Sequence, residues 1–550
     1  MRTAFALYLL ALVVRLALIA AYPDPAYPDS AYYVEVARSI AAGRGLTVDF
    51  VWIFAEVGGR IPADPVLPIP SNGHWLPLAS FVQVPFILLL GPTAVASALP
   101  FALIGALAAP LTRAIARDAG AGAFVATGAA ILAAIPVMTT PFMTQPDNFS
   151  LYQPVVAGCL WAAARAWRGS GRAYAVAGLL AGLATFSRND GLLLVGLLGL
   201  VAIADRFRGR RPNLRGGRIP VGAVVAAAAL FLAVIGPWWL RQLGEFGTLS
   251  PSTASGRALY IRTIQEWNSI TGTPTLEYLL GQGFGPFLAS RVGGLVAGAW
   301  IFTILICGLV LLPFLVIGAW RRRRSADFGP FFVHSAVFFA FSGLVSAVHV
   351  PGGTFIHSAV GLAPHAWILA LDGVAAVVAW VAARRPAWRG ESAERVVGGG
   401  IVALSVAIGL ASVPSVHATW DEPRRERLAV AATLARLGVP AEDRLMTIDA
   451  ASYRYFTGRG GVVLVNDPLE TIREVAAAYD IRWLVIEARD TVPSVRPILE
   501  GRGRPSWIGA PVLRLPGAAG PTPSVTLHPV CLDADDRRCA GLAEGVGRGG

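Results

Sequence analysis

The sequence predicts an all-α polytopic membrane domain of about 11–12 transmembrane helices, with a small α/β domain at its C-terminal end. Three observations predict it. The chain has 550 residues, of which 55% are hydrophobic and only 15% charged, whereas soluble domains carry about 25% charge. Apolar runs of about 20 residues recur up to position 416, each long enough to cross a hydrocarbon core. Beyond Trp420 the pattern changes to short apolar runs between polar helical segments. Backbone amides in lipid must bond within their own segment, so the long runs are expected as helices.

The first run covers 3–21. It has Arg2 ahead of it and alanines at its end, as a signal peptide would. Its length and the internal Arg15 favour an uncleaved first span. A Pro-rich polar stretch, 22–76, follows, and then a short apolar run at 76–90. Further candidate spans are 93–112, 121–143, 149–167, 173–187, 191–205, 219–240, 295–320, 330–349, 358–383 and 395–416. These place a transmembrane domain at 1–418, interrupted by polar loops at 22–76 and 241–294. An α/β domain is expected at 419–516. Within it 427–437 and 467–479 read as helices, and 444–448, 462–465 and 481–486 as strands. From 517 to 550 the chain is rich in Gly and Pro and reads as loose.

The net charge is +12, and all 46 basic residues are arginine. In a soluble protein such an excess suggests nucleic acid. Here the arginines fall between apolar runs, which excludes nucleic acid as the expected partner. Suppose the N-terminus is cytoplasmic and 76–90 does not cross. Then Arg113/Arg117, Arg165/Arg168/Arg172, the 206–218 cluster, Arg321–Arg324 and Arg384/Arg385 all lie on the cytoplasmic side, as the positive-inside rule demands. The same count makes loops 22–76 and 241–294 and the C-terminal tail extracytoplasmic, in the cell (plasma or inner) membrane. Cys159 and Cys307 lie in apolar runs and read as core residues. Cys531 and Cys539 bracket a short polar loop; a disulfide that closes it in an oxidising space and two free thiols in a loose tail are equal readings.

Candidate chemistry concentrates at the predicted outer surface. Asp29, in Tyr27-Pro28-Asp29-Ser30-Ala31-Tyr32-Tyr33, begins a helical stretch just after the first span. On geometry it reads first as a helix cap, a role that does not exclude a catalytic carboxylate at the headgroup level. Asp147, in Gln145-Pro146-Asp147-Asn148, lies at an outer turn and is open to the same two readings. Arg188, in Ser187-Arg188-Asn189-Asp190 between two short helices, is a bidentate phosphate partner or a snorkelling arginine. Arg241, after Pro237-Trp238-Trp239, is a second phosphate candidate or an aromatic-belt anchor. His74, Tyr32 and Glu56 in the first loop are candidate substrate or metal-binding residues. His334, His349, His357 and His365 have no standard zinc spacing. No Walker A sequence and no dinucleotide fingerprint are present, and Gly458-Arg459-Gly460-Gly461 is a turn. The pattern leaves a divalent cation open and requires no other cofactor.

Five ordered motifs carry a resemblance. They are Pro28-Asp29-Ser30-Ala31-Tyr32-Tyr33 followed by Ala42-Gly43-Arg44-Gly45-Leu46; His74-Trp75-Leu76-Pro77; Pro146-Asp147-Asn148; Gly178-Leu179-Leu180-Ala181-Gly182-Leu183-Ala184-Thr185-Phe186-Ser187-Arg188; and Pro237-Trp238-Trp239-Leu240-Arg241. In order and spacing they resemble the GT-C membrane glycosyltransferases of the protein mannosyltransferase and aminoarabinose transferase type. Tyr455-Phe456-Thr457-Gly458-Arg459 and 479–486 are similar to that family's outer domain.

The resemblance implies an inverting transferase. It would move a sugar from a polyprenyl-phosphate donor to a lipid, glycan or protein acceptor on the outer face. It implies Asp29 as catalytic base, Asp147 as the second acidic residue and Arg188 at the donor phosphate. His74 departs from the family's His-Pro-Pro pattern. A transporter or flippase is the competing class; it accounts for Arg15 but less well for acids at the surface. A non-catalytic relative that binds lipid-linked sugars is the third.

Overall fold

The computed structural model describes residues 2–207, 218–249, 256–351, 353–385, 388–517 and 520–532. The chain divides into two compact units. One, mainly helical, comprises 1–24, 76–244 and 284–417; the other, α/β, comprises 25–75, 245–283 and 418–550. Most of each polar loop, 25–75 and 245–283, groups with the tail. Cys539 lies outside the described residues, and with it the expected pairing to Cys531; most of the 206–218 arginine cluster lies outside them too.

The chain is a multi-pass membrane protein. Among the described residues six helices are long and apolar enough to cross a bilayer: Arg2–Ala21, Ala94–Asp118, Val221–Phe246, Phe284–Ile306, Thr354–Ala382 and Gly390–Arg436. Ala123–Ala134 and Val137–Thr144, bent by 46°, make a seventh if counted as one span. The runs expected at 149–167, 173–187 and 191–205 are also helices, Phe149–Trp167, Gly171–Ser187 and Leu192–Phe207. Phe149–Trp167 buries most of its length, Gln153 and Ser150 included, so it faces protein and needs less hydropathy than a lipid-facing span. Gly171–Ser187 packs directly on a neighbour: a Cβ at Gly178 would stand 2.3 Å from the Ala227 carbonyl oxygen. The run at 76–90 forms the short apolar helix Leu78–Leu90. At 1.5 Å per residue it reaches about 20 Å, short of a 30 Å core, and it leaves Leu89 81% exposed.

Arg15 is fully buried in the first span. Its Nη1 donates to the carbonyls of Ala11 (3.2 Å) and Ala134 (3.0 Å). Ala134 is the last residue of its helix, so its carbonyl has no donor within that helix, and the arginine satisfies it.

The α/β unit is built on a six-stranded sheet. The strands of this unit are β1 (Thr47–Val48), β2 (Phe50–Val51), β3 (Ile69–Pro70), β4 (Arg444–Thr447), β5 (Gly461–Val463), β6 (Ile481–Glu487), β7 (Leu513–Leu515) and β8 (Val525–Pro529). The order is β2-β5-β4-β6-β8-β7. β2, β5, β4 and β6 run parallel, and β8 pairs antiparallel with both β6 and β7. β1 pairs with β3 in a separate ribbon. β6 reads as a continuous apolar run because both of its faces are covered. The core gathers Val430, Leu434, Leu445, Trp483, Val485, Val525 and Leu527. Strand β8 lies beyond Gly517, where composition predicts a loose chain. Its five residues are all buried, because two partner strands and the sheet core outweigh the flanking Gly and Pro.

Candidate active site

The candidate residues fall into two groups, one in each unit. In the α/β unit the helix Pro28–Ala41 begins with Pro28, whose missing N–H is no loss at that position. Ser30 does the capping: its hydroxyl accepts from the Tyr27 amide (3.2 Å) and donates to the Tyr27 carbonyl (2.8 Å). Asp29 therefore stands in the first turn without being the cap. A carboxylate there is favoured by the helix dipole. Its Oδ1 accepts from the Trp75 indole Nε1 at 3.0 Å.

Trp75 is itself held. Its ring stacks on Tyr32, with centroids 4.3 Å apart and planes at 29°. Tyr32 is fully buried. The Tyr32 hydroxyl donates to Glu56 Oε1 and accepts from the Asn72 amide, both at 2.6 Å. Glu56 Oε2 also accepts from the Trp52 amide at 3.2 Å. Tyr32 and Glu56 thus support the tryptophan that orients Asp29. His74 packs edge-on against Trp75 (5.0 Å) and Trp267 (4.9 Å). Arg454 ties the helix to the loop after it, pairing with Glu35 (3.5 Å) and Asp49 (2.8 Å). Arg38 lies over the Tyr455 ring at 4.5 Å.

In the helical unit three segments far apart in the chain converge. Asp147, fully buried, accepts from the Asn148 amide at 2.5 Å through Oδ1, and its Oδ2 lies 3.2 Å from His357 Nδ1. The Asn148 side-chain oxygen accepts from the Ser187 hydroxyl at 2.6 Å. Arg188, next in the chain, has an extended backbone (φ −149°, ψ 142°) that ends its helix. The turn after it closes tightly, and a Cβ at Gly191 would lie 2.4 Å from the Thr185 amide nitrogen. Arg188 Nε donates to Ser358 Oγ at 2.6 Å and lies 3.3 Å from Asp190 Oδ1. Its Nη2 donates to the Thr354 carbonyl at 3.4 Å. Trp238 packs edge-on against Phe186 (5.9 Å), and the Arg241 guanidinium lies 5.0 Å from the Trp238 ring centre. Arg241 is thereby placed on the helix beside the one that ends at Arg188.

The structure thus brings Asp147 together with Arg188 through Asn148 and Ser187, and it joins Asp29, Tyr32 and Glu56 through Trp75. His357 and Ser358 were not singled out by sequence reasoning. Zinc spacing was the wrong signal for His357, which lies against a carboxylate from another segment. A carboxylate oxygen and an imidazole nitrogen so placed are two ligands of the kind a divalent cation takes.

No protein-family model matches the chain, and no curated protein matches it in sequence. Solved structures do. ArnT from Cupriavidus metallidurans bound to undecaprenyl phosphate superimposes with a TM-score of 0.52 at 15% identity, covering 96% of this chain and 98% of that one. The apo state of the same protein gives 0.50, at the same identity and coverage. The Archaeoglobus fulgidus oligosaccharyltransferase in complex with Zn and sulfate gives 0.49 at 14% identity, over 87% of this chain and 67% of that one. The two ArnT structures are similar enough to establish a fold, and the third is not. The likeness over nearly the whole of both chains leads to one conclusion: this chain has the fold of the Cupriavidus metallidurans ArnT.

Proposed function

We propose that the chain is an inverting glycosyltransferase that moves a sugar from a polyprenyl-phosphate donor to an acceptor on the extracytoplasmic face of the membrane. The observation that carries the reading is Asp29. It is a carboxylate in the first turn of a helix, oriented by the Trp75 indole, in a chain that shares its fold with an ArnT that binds undecaprenyl phosphate. A base for this reaction must accept a proton from an acceptor hydroxyl while held in one direction.

In the proposed step Asp29 takes the hydroxyl proton. The acceptor oxygen attacks the anomeric carbon, and the bond from that carbon to the phosphate oxygen breaks. The bonding pair leaves with the polyprenyl phosphate, and a single in-line displacement inverts the anomeric centre. A phosphate leaving group needs a cation more than a general acid. Arg188, with Arg241 on the adjoining helix, is the proposed source of that charge. Asp147 is proposed as the second acidic residue; its carboxylate is fixed by the Asn148 amide and His357. If a divalent cation is bound, Asp147 and His357 are the residues to hold it, and it would neutralise charge on the leaving phosphate. The arginine distribution supports placing the α/β unit outside the cytoplasm.

The test is carrier release. Purified protein is incubated with a panel of polyprenyl-phosphate sugars and envelope lipids, and free polyprenyl phosphate is scored. Wild type releases carrier from at least one donor, and Asp29→Asn, inserted and folded as wild type, does not. Undiminished release by Asp29→Asn removes Asp29 as the base.

A further inference from the structure

Within the helical unit, Arg188 is gripped by a segment far from it in the chain. The short helix Thr354–Ala359 begins after Gly353, whose φ of +89° glycine adopts without strain. Just beyond the helix the chain presses on Phe149–Trp167: a Cβ at Gly361 would stand 2.7 Å from Val156 Cβ. Both ends of the short helix are thereby fixed. Successive residues on a helix point about 100° apart, so His357 and Ser358 meet different segments. His357 Nδ1 lies 3.2 Å from Asp147 Oδ2. Ser358 Oγ accepts from Arg188 Nε at 2.6 Å, and Ser358 is only 4% exposed.

A guanidinium is a planar fork of five N–H donors, so fixing part of the fork directs the rest. Ser358 takes Nε, and the Thr354 carbonyl takes Nη2 at 3.4 Å. These two acceptors are four residues apart, on adjacent turns of one helix face, and grip the guanidinium at two points. Asp190 Oδ1 lies 3.3 Å from Nε. The Ser358 contact is the shortest of the three. An arginine has many rotamers and loses them on binding an anion unless it is already held. Its own backbone supplies no such hold, because Arg188 is the extended residue between two helices. The hold comes from the other segment, and its chemistry suits a cation that must remain available to an anion. A hydroxyl accepts from Nε without adding negative charge. A carboxylate in its place, beside Asp190, would repel an incoming phosphate.

We infer that Ser358 is a positioning residue for the donor phosphate: by accepting from Nε it holds the Arg188 guanidinium in the direction from which it meets the phosphate of a polyprenyl-phosphate carrier. The inference rests on the reading of Arg188 as the phosphate cation and does not depend on Asp29. Without the Ser358 hydroxyl the fork can turn away, and part of the binding free energy goes to fixing it again. A charge-assisted hydrogen bond of this kind corresponds to a loss of about tenfold or more in affinity.

The test is the Kd of radiolabelled undecaprenyl phosphate for the full chain in nanodiscs, with a thermal melt of each variant alongside. Wild type is expected to bind saturably. Ser358→Ala should raise Kd about tenfold, and Ser358→Thr, which keeps the hydroxyl, should stay within about threefold of wild type. Arg188→Gln should raise Kd at least as much as Ser358→Ala. The double variant Arg188→Gln/Ser358→Ala should bind no more weakly than Arg188→Gln alone, because a residue that acts only through Arg188 has nothing left to position. A serine that merely supports the fold would weaken binding further in the double variant and would not be rescued by threonine. Impaired binding by Arg188→Gln with unchanged binding by Ser358→Ala overturns the positioning role alone. So does an additive double variant, or a Ser358→Thr as weak as Ser358→Ala. No saturable binding by wild type, or unchanged binding by Arg188→Gln, overturns the phosphate reading of Arg188 and the role of Ser358 with it. Because binding is read without turnover, carrier release that fails while these affinities behave as expected counts against the transferase reading alone.

Discussion

Replacing Trp75 by Phe isolates the bond that orients Asp29. Phenylalanine keeps an aromatic ring to lie on Tyr32 but has no N–H, so the 3.0 Å bond to Asp29 Oδ1 is lost while the stack remains. A hydrogen bond to an ionised group is worth about 1.5–3 kcal/mol. The bond is strongest to the ionised carboxylate and weakens as the proton arrives, so its loss acts through the direction of the base, where a misplacement of about 1 Å costs up to about 100-fold. At about 1.4 kcal/mol per factor of ten, kcat/KM should then drop about 10- to 100-fold. The assay is the initial rate of sugar transfer from the active donor, with a thermal melt of each variant alongside. Trp75→Ala removes the stack as well, which adds about 0.5–1.5 kcal/mol and should appear in the melt. A Trp75→Phe enzyme with more than half of wild-type kcat/KM refutes the orienting role. So does a loss that is fully accounted for by unfolding.

Two further outcomes follow from the α/β unit. Tyr32→Phe deprives the buried Asn72 amide of its acceptor and Glu56 of a donor. An orphaned buried amide costs about 1–3 kcal/mol, so hydrogen exchange at Asn72 should speed up about tenfold or more, and unchanged exchange would count against the network. His528, buried between the Gly509 carbonyl and the Thr526 hydroxyl at 3.0 Å each, is pushed by burial from the ordinary 6.5 down to about 4. The folded imidazole refuses a proton that the unfolded chain accepts. The unit should therefore keep its full stability above about pH 6.5 and lose about 3 kcal/mol as pH falls toward 4. His528→Gln should flatten that acid slope in thermal melts followed by tryptophan fluorescence, and an unaltered slope would remove His528 as its source.

Apolar periodicity made the helices legible, and β4, β5 and β6 showed as short apolar runs, because both signals are local. The same locality hid the rest. Hydropathy cannot separate a helix that faces lipid from one that faces protein, so Phe149–Trp167 reads as one more span although most of its residues are buried within the unit. β2 has two residues, and only its pairing with β5 defines it. Asp29, Asp147 and Arg188 stood out because each sits in a short polar break beside an apolar run. Trp75 lay within a quoted motif, but its link to Asp29 depends on how a loop folds back over 46 residues. The Arg188–Ser358 bond spans 170 residues and exists only once the helices have packed.

Arg15 has a consequence for biosynthesis. A lone arginine at mid-span costs about 2.5–3.5 kcal/mol when a helix enters the bilayer. The carbonyl of Ala134 that receives it is made more than a hundred residues later. The first span therefore leaves the ribosome with an uncompensated charge and is a reluctant passenger in lipid until Ala123–Ala134 arrives beside it. Its settled position is a product of assembly, and a nascent chain cut short of that helix would hold its leading span less firmly than its apolar composition suggests.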